Sequence, residues 1–92
     1  MFEDADMDLA LDAIMAAKFR NAGQTCISAN RIYVHDTVYD TFAAQLVERV
    51  HARLVVGAGS AMSTTCGPLI NMAAVQKVYN GSLGRCWVDL LV

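Results

Sequence analysis

Ninety-two residues make at most one small domain, and 55% hydrophobic against 17% charged residues is more apolar surface than such a domain hides by itself. A formal net charge of -2, with the basic residues scattered, gives no footing for nucleic acid or an anionic membrane surface. No run of about 18 apolar residues occurs, so no spanning helix is expected. The acidic start Met1-Phe2-Glu3-Asp4-Ala5-Asp6 is not a secretory signal.

Met1-Phe2 reads as the end of a strand. Glu3, Asp4 and Asp6 precede a helix expected over residues 7–19, with Asp4 or Asp6 as its cap. Leu11, Ile14, Met15, Lys18 and Phe19 recur at helical spacing, and Asn21-Ala22-Gly23 is a stop because glycine tolerates the left-handed conformation. Arg31-Ile32-Tyr33-Val34-His35 has the composition of a short strand. Thr37 then stands as the cap of a second helix ending near Arg53, with Val38, Phe42, Leu46, Val50 and Leu54 as its apolar stripe. Gly57-Ala58-Gly59 lacks the third glycine of a dinucleotide loop, since Met62 occupies that place; a turn is expected. Asn71 is placed to cap a third helix through Met72, Val75 and Val78. From Tyr79 the character changes, ending in the apolar Cys86-Trp87-Val88-Asp89-Leu90-Leu91-Val92.

Cys26, Cys66 and Cys86 are an odd, widely spaced set that fits neither a disulfide framework nor a zinc ligand pair, and a reducing compartment follows. Cys26 lies in the small polar stretch Gly23-Gln24-Thr25-Cys26. If Ile27-Ser28-Ala29 begin a helical turn, oriented N–H groups would favour its thiolate and an oxyanion formed beside it. A small buried residue is the competing reading. His35 and His51 have no evident orienting partner, so a self-contained Cys–His hydrolase is not expected. Arg20 suits either the helix terminus or a substrate carboxylate.

Phe2-Glu3-Asp4-Ala5-Asp6, Lys18-Phe19-Arg20-Asn21-Ala22-Gly23-Gln24-Thr25-Cys26, Asn30-Arg31-Ile32-Tyr33-Val34 and Gly67-Pro68-Leu69-Ile70-Asn71, in this order, resemble a catalytic-domain segment of the aldehyde dehydrogenase superfamily. The Lys-Phe-Arg-Asn run most resembles enzymes of the succinate-semialdehyde type. The resemblance implies an α/β fold, here helix, nucleophile loop, strand and helix, with residues 1–78 a partial catalytic domain and 79–92 a divergent tail. It implies that Cys26 is the nucleophile forming a thiohemiacetal that yields hydride to NAD or NADP and leaves a thioester. It further implies that Arg20 holds the substrate's distal carboxylate, while Asn21 and Gln24 shape the loop. Ser28 stands where many such enzymes carry a second, redox-switching cysteine. The general-base glutamate, the oxyanion-hole asparagine and most of the cofactor-binding positions have no counterpart in this sequence. The expectation is therefore a fragment inactive alone, from a homo-oligomeric enzyme of the cytoplasm or mitochondrial matrix; the alternative is a non-catalytic interaction module docking on a full-length relative.

Overall fold

Asp6 ends the acidic N-terminal run and opens the first helix, its Oδ1 accepting from the Leu9 N–H at 2.9 Å. Of the two carboxylates expected at this cap, Asp6 fills the role. The computed structural model describes residues 1–82. Its helices are α1 (Met7–Phe19), α2 (Asp36–Arg53) and α3 (Met72–Ser82), with a short turn at Arg20–Gly23 directly after α1. α2 is capped two residues earlier than the sequence suggests, at His35. Asp36 Oδ1 at 2.8 Å and His35 Nδ1 at 3.4 Å both accept from the Thr37 N–H. Thr37 lies inside α2 and is therefore not the cap; its hydroxyl meets His35 Nδ1 at 2.9 Å and Glu3 at 3.4 Å.

The core lies between α1 and α2. Leu11, fully buried, packs with Val34 and Phe42, and Met7, Ile14, Val38 and Leu46 close around them. These are the apolar stripes of both helices, so periodicity and packing agree. Beside the core, Arg49 pairs with Asp8 and Asp12, and Arg53 with Asp12 at 2.7 Å. Asp8 and Asp12 are one turn apart on α1 and Arg49 and Arg53 one turn apart on α2. The register of the two helices therefore brings opposite charges together.

The expected strand at residues 31–35 is not formed. Among the described residues the regular structure is helical, with one isolated parallel bridge between Val56 and Cys66, so the α/β class is not displayed. The segment is extended, and its burial alternates as a strand's does, with Ile32 and Val34 inward and Arg31, Tyr33 and His35 outward. A strand also needs a ladder, and here the facing backbone is Met1 alone. The Met1 nitrogen donates to the Tyr33 carbonyl and the His35 N–H to the Met1 carbonyl. One facing residue satisfies two backbone groups and cannot propagate.

After α2 the chain closes a loop on Thr65, whose Oγ1 accepts from the Val55 N–H at 2.8 Å and donates to the Arg53 carbonyl at 2.9 Å. Gly57 is needed there for space, since a Cβ would stand 2.7 Å from Thr64 Oγ1. Asn71 Oδ1 accepts from the Ala74 N–H at 2.9 Å and caps α3 as expected. α3 continues past Val78 through Gly81 to Ser82, supported by Gln76 Nε2 donating to Asn80 at 3.0 Å. The sequence segment 83–92 lies outside the described residues.

The guanidinium groups of Arg53 and Arg49 hold the Asp12 carboxyl below its ordinary value of 3.8, Arg53 contributing most through its hydrogen bond. A lowered folded-state pKa stabilises above 3.8 and is lost as pH falls through the folded value. Thermal melts should therefore show a falling midpoint below that pH, and Asp12→Asn should lower the neutral-pH midpoint while flattening the acid limb. An unchanged acid limb in Asp12→Asn would exclude Asp12 as its source.

Candidate active site

α1 stops because the chain reverses hand. After Arg20 (φ -56, ψ 128), Asn21 (φ 52, ψ 40), Ala22 (φ 56, ψ 29) and Gly23 (φ 76) are all left-handed. This conformation costs about 1–2 kcal/mol for a residue bearing Cβ, less for asparagine, and little for glycine. A Cβ at Gly23 would also be crowded, 3.2 Å from the Lys18 carbonyl oxygen. That oxygen, near the end of α1, accepts from Ser28 Oγ at 3.3 Å. The turn is laced further by the Gln24 N–H donating to the Asn21 carbonyl at 3.1 Å and Asn21 Nδ2 to the Gln24 carbonyl at 3.3 Å.

Cys26 follows on a β-turn closed by the Ser28 N–H donating to the Thr25 carbonyl at 3.1 Å. The helical turn expected after Cys26 is absent. Ser28 is bonded back to α1, and the few residues before the extended segment are too short a run to nucleate a helix. No helix therefore begins at Cys26. Cys26 is exposed, which removes the small-buried-residue reading for this chain, and Ile27 beside it is 74% exposed. Among the described residues the Cys26 N–H has no protein acceptor, leaving it free to donate to an incoming oxygen. Behind the thiol, Thr25 Oγ1 is buried without a partner.

Arg20 is exposed on the other side of the left-handed turn, and among the described residues its guanidinium has no hydrogen-bond or ion-pair partner. Arg20 and Cys26 thus stand on either side of the left-handed turn along the chain, with no hydrogen bond joining their side chains. His35 is engaged at the α2 cap with Thr37 and Asp36, and His51 is exposed on α2; neither is bonded to Cys26. A dinucleotide does not fit the one glycine-rich candidate. Gly57 is packed against Thr64, and the chain after Gly59 forms a turn closed by the Ala61 N–H on the Ala58 carbonyl, not a helix N-terminus facing a pyrophosphate.

Sequence reasoning missed the reach of Gln24. Its Oε1 accepts from the Ile70 N–H at 2.9 Å, and its Nε2 donates to the Asn21 carbonyl at 3.3 Å and the Pro68 carbonyl at 3.4 Å. α3 makes no helix packing with α1 or α2, and a cleft of about 450 Å³ separates it from the turn, lined by Phe19, Gly23, Gln24, Leu69, Lys77 and Val78 among others. No local signal in the sequence announces a contact over 46 residues.

The model of the aldehyde dehydrogenase family matches residues 1–81. The chain belongs to that family. It is 56% identical over 78 residues to the mitochondrial succinate-semialdehyde dehydrogenase of Arabidopsis thaliana, and 53% identical over 78 residues to the NADP(+) succinate-semialdehyde dehydrogenase of Escherichia coli. These stretches cover 85% of this chain and 15% and 16% of those proteins. The crystal structure of succinate-semialdehyde dehydrogenase from Burkholderia pseudomallei superposes with a TM-score of 0.82 at 49% identity, over 87% of this chain and 16% of that one. The chain thus spans about a sixth of the length of the relatives it matches.

The turn makes opposite predictions for adjacent residues. Gly23→Ala should destabilise by roughly 1–2 kcal/mol or more, and Ala22→Gly should stabilise by up to about 1 kcal/mol. Denaturant titration of both variants is the check; equal effects would mean the turn is not left-handed in solution.

Proposed function

We propose that this chain carries the nucleophile and the carboxylate anchor of an aldehyde dehydrogenase acting on a short carboxylated semialdehyde. The observation that carries this reading is the exposed Cys26 thiol on a tight turn, its own N–H free, in a chain of this family. The Cys26 thiolate adds to the aldehyde carbon. A C–S bond forms, the carbonyl electron pair moves to oxygen, and the Cys26 N–H stabilises the resulting oxyanion. Arg20, unpaired across the turn, takes the distal carboxylate through its planar fork. Residues 1–78 act as part of the catalytic domain, 79–92 being a divergent tail. Oxidation of the adduct belongs to the complete homo-oligomeric enzyme of cytoplasm or mitochondrial matrix, whose NAD or NADP is held by residues outside this chain. By itself the chain stops at the adduct.

A second reading draws on Val56 (80% exposed), Ile70 (82%) and Met72 (75%), apolar side chains of a kind that seek cover. In that reading the chain docks, without catalysis, on a full-length relative. Co-purification with such a subunit supports it, and no association removes it.

Four measurements test the first reading. Cys26 should be alkylated faster than Cys66, and mass spectrometry should find the aldehyde adduct on Cys26, lost in Cys26→Ala; equal rates and no adduct would end the proposal. Oxidation by the purified chain, abolished by Cys26→Ala, would overturn its inactivity alone. In a complete enzyme containing this segment, Arg20→Ala should lower kcat/KM for the carboxylated aldehyde about ten- to hundredfold, the worth of a hydrogen bond to a charged group, with a smaller loss for a neutral aldehyde. A uniform loss would make Arg20 structural.

A further inference from the structure

The left-handed turn fixes Cys26 relative to α1, whereas its placement relative to the segment 67–71 rests on a side chain. Helix packing does not set it, since α3 touches neither α1 nor α2 and stands off across the cleft. The Gln24 side chain spans that gap. We infer that Gln24 is the positioning residue of the nucleophile loop: its amide ties the turn before Cys26 to the Pro68 and Ile70 backbone. This inference deepens the proposed function and rests on Cys26 being the nucleophile.

The chemistry of the joint demands an amide. Ile70 presents an N–H, which needs an acceptor, and Gln24 Oε1 meets it at 2.9 Å. Asn21 and Pro68 present carbonyls, which need donors, and Gln24 Nε2 faces both at 3.3 and 3.4 Å. The two ends of one amide are thereby assigned without ambiguity, because the flipped amide would set N–H against N–H and oxygen against oxygen. A carboxylate keeps the acceptor and loses both donors. A thioether of the same length keeps neither. Pro68 itself offers a carbonyl and no N–H, and Asn71 immediately beyond caps α3. The orientation of α3 and of the loop therefore meet at one side chain, two residues before the nucleophile.

The test uses the whole 92-residue chain, with hydrogen exchange at the Ile70 amide and iodoacetamide alkylation of Cys26 relative to Cys66. Exchange at Leu9, bonded to Asp6 at the far end of α1, reports whether the chain remains folded. Gln24→Met should speed Ile70 exchange roughly fivefold, the worth of one hydrogen bond, and lower the Cys26 to Cys66 rate ratio. Gln24→Glu should keep Ile70 protected while lowering that ratio as Gln24→Met does. A general loosening would not separate the variants in this way. Unchanged Ile70 exchange in a folded Gln24→Met chain, or an unchanged rate ratio in both variants, would overturn the inference. Should Gln24→Met lose Leu9 protection, Gln24→Glu decides: a protected Ile70 with a lowered ratio supports the joint, and any other result overturns it. Failure of the underlying reading is seen separately, as absence of an aldehyde adduct on Cys26 in the unaltered chain, to which Ile70 exchange is indifferent.

Discussion

The reversal of hand after α1 is the constraint on which the site depends. Three successive left-handed residues turn the chain back on the helix end, and two of them carry a Cβ. Their cost, about 1–2 kcal/mol each at most, is matched by a small set of hydrogen bonds worth about 1 kcal/mol apiece. Asn21 and Gln24 bond each other's backbone, Gln24 adds its side chain, and Ser28 reaches back to Lys18. Each polar residue in the stretch around Cys26 that makes these bonds thus has a mechanical task, and the cysteine is left as the exposed group. A turn held this way is stiff, which is what the role proposed for Cys26 would require.

The chain divides in how it hides apolar surface. The buried apolar residues, Leu11, Met15, Val34 and Phe42, all precede residue 43. Exposed apolar side chains occur in both halves, Phe2, Leu9, Ile27, Tyr33 and Val47 in the first and Val55, Val56, Met62, Ile70, Met72, Val75, Val78 and Tyr79 in the second. What sets the second half apart is a cap, a closed loop and a helix with no buried apolar residue among the described residues. Local hydrogen bonding supplies the form of that half. Burial supplies only the first half's stability, and losing a side chain as central as Leu11 there would cost about 2–5 kcal/mol, a large share of what any small domain possesses.

What was legible in the sequence was local. The span of α1, the Asp6 and Asn71 caps, the stripe of α2 and the stop at Gly23 all follow from periodicity or from side chains bonding within four residues. Where the sequence misled, the deciding partner was distant or competed for the same group. Thr37 has the composition of a cap, but His35 and Asp36 accept from its own N–H and the helix begins before it. Residues 31–35 carry strand composition and strand-like burial, but a strand is a pairing, and the pairing stops at Met1. Cys26 was singled out by its surroundings, yet the helix imagined beneath it is a β-turn; the exposure of the thiol rests on the turn alone.

Ser28 shows how one substitution joins these scales. In the subgroup this chain resembles, that position often holds a second cysteine able to pair with the nucleophile. Here a hydroxyl stands there and donates to the Lys18 carbonyl at the end of α1. A thiol is a weak donor on a longer bond, so a cysteine at the same place would tie the helix end less firmly. It would also leave its sulfur free to approach Cys26. The serine therefore does two things with one atom. It anchors the returning chain against the left-handed turn, and it leaves no second thiol two residues from Cys26. Anchoring of the loop and the lack of a thiol at that position are the same choice of residue.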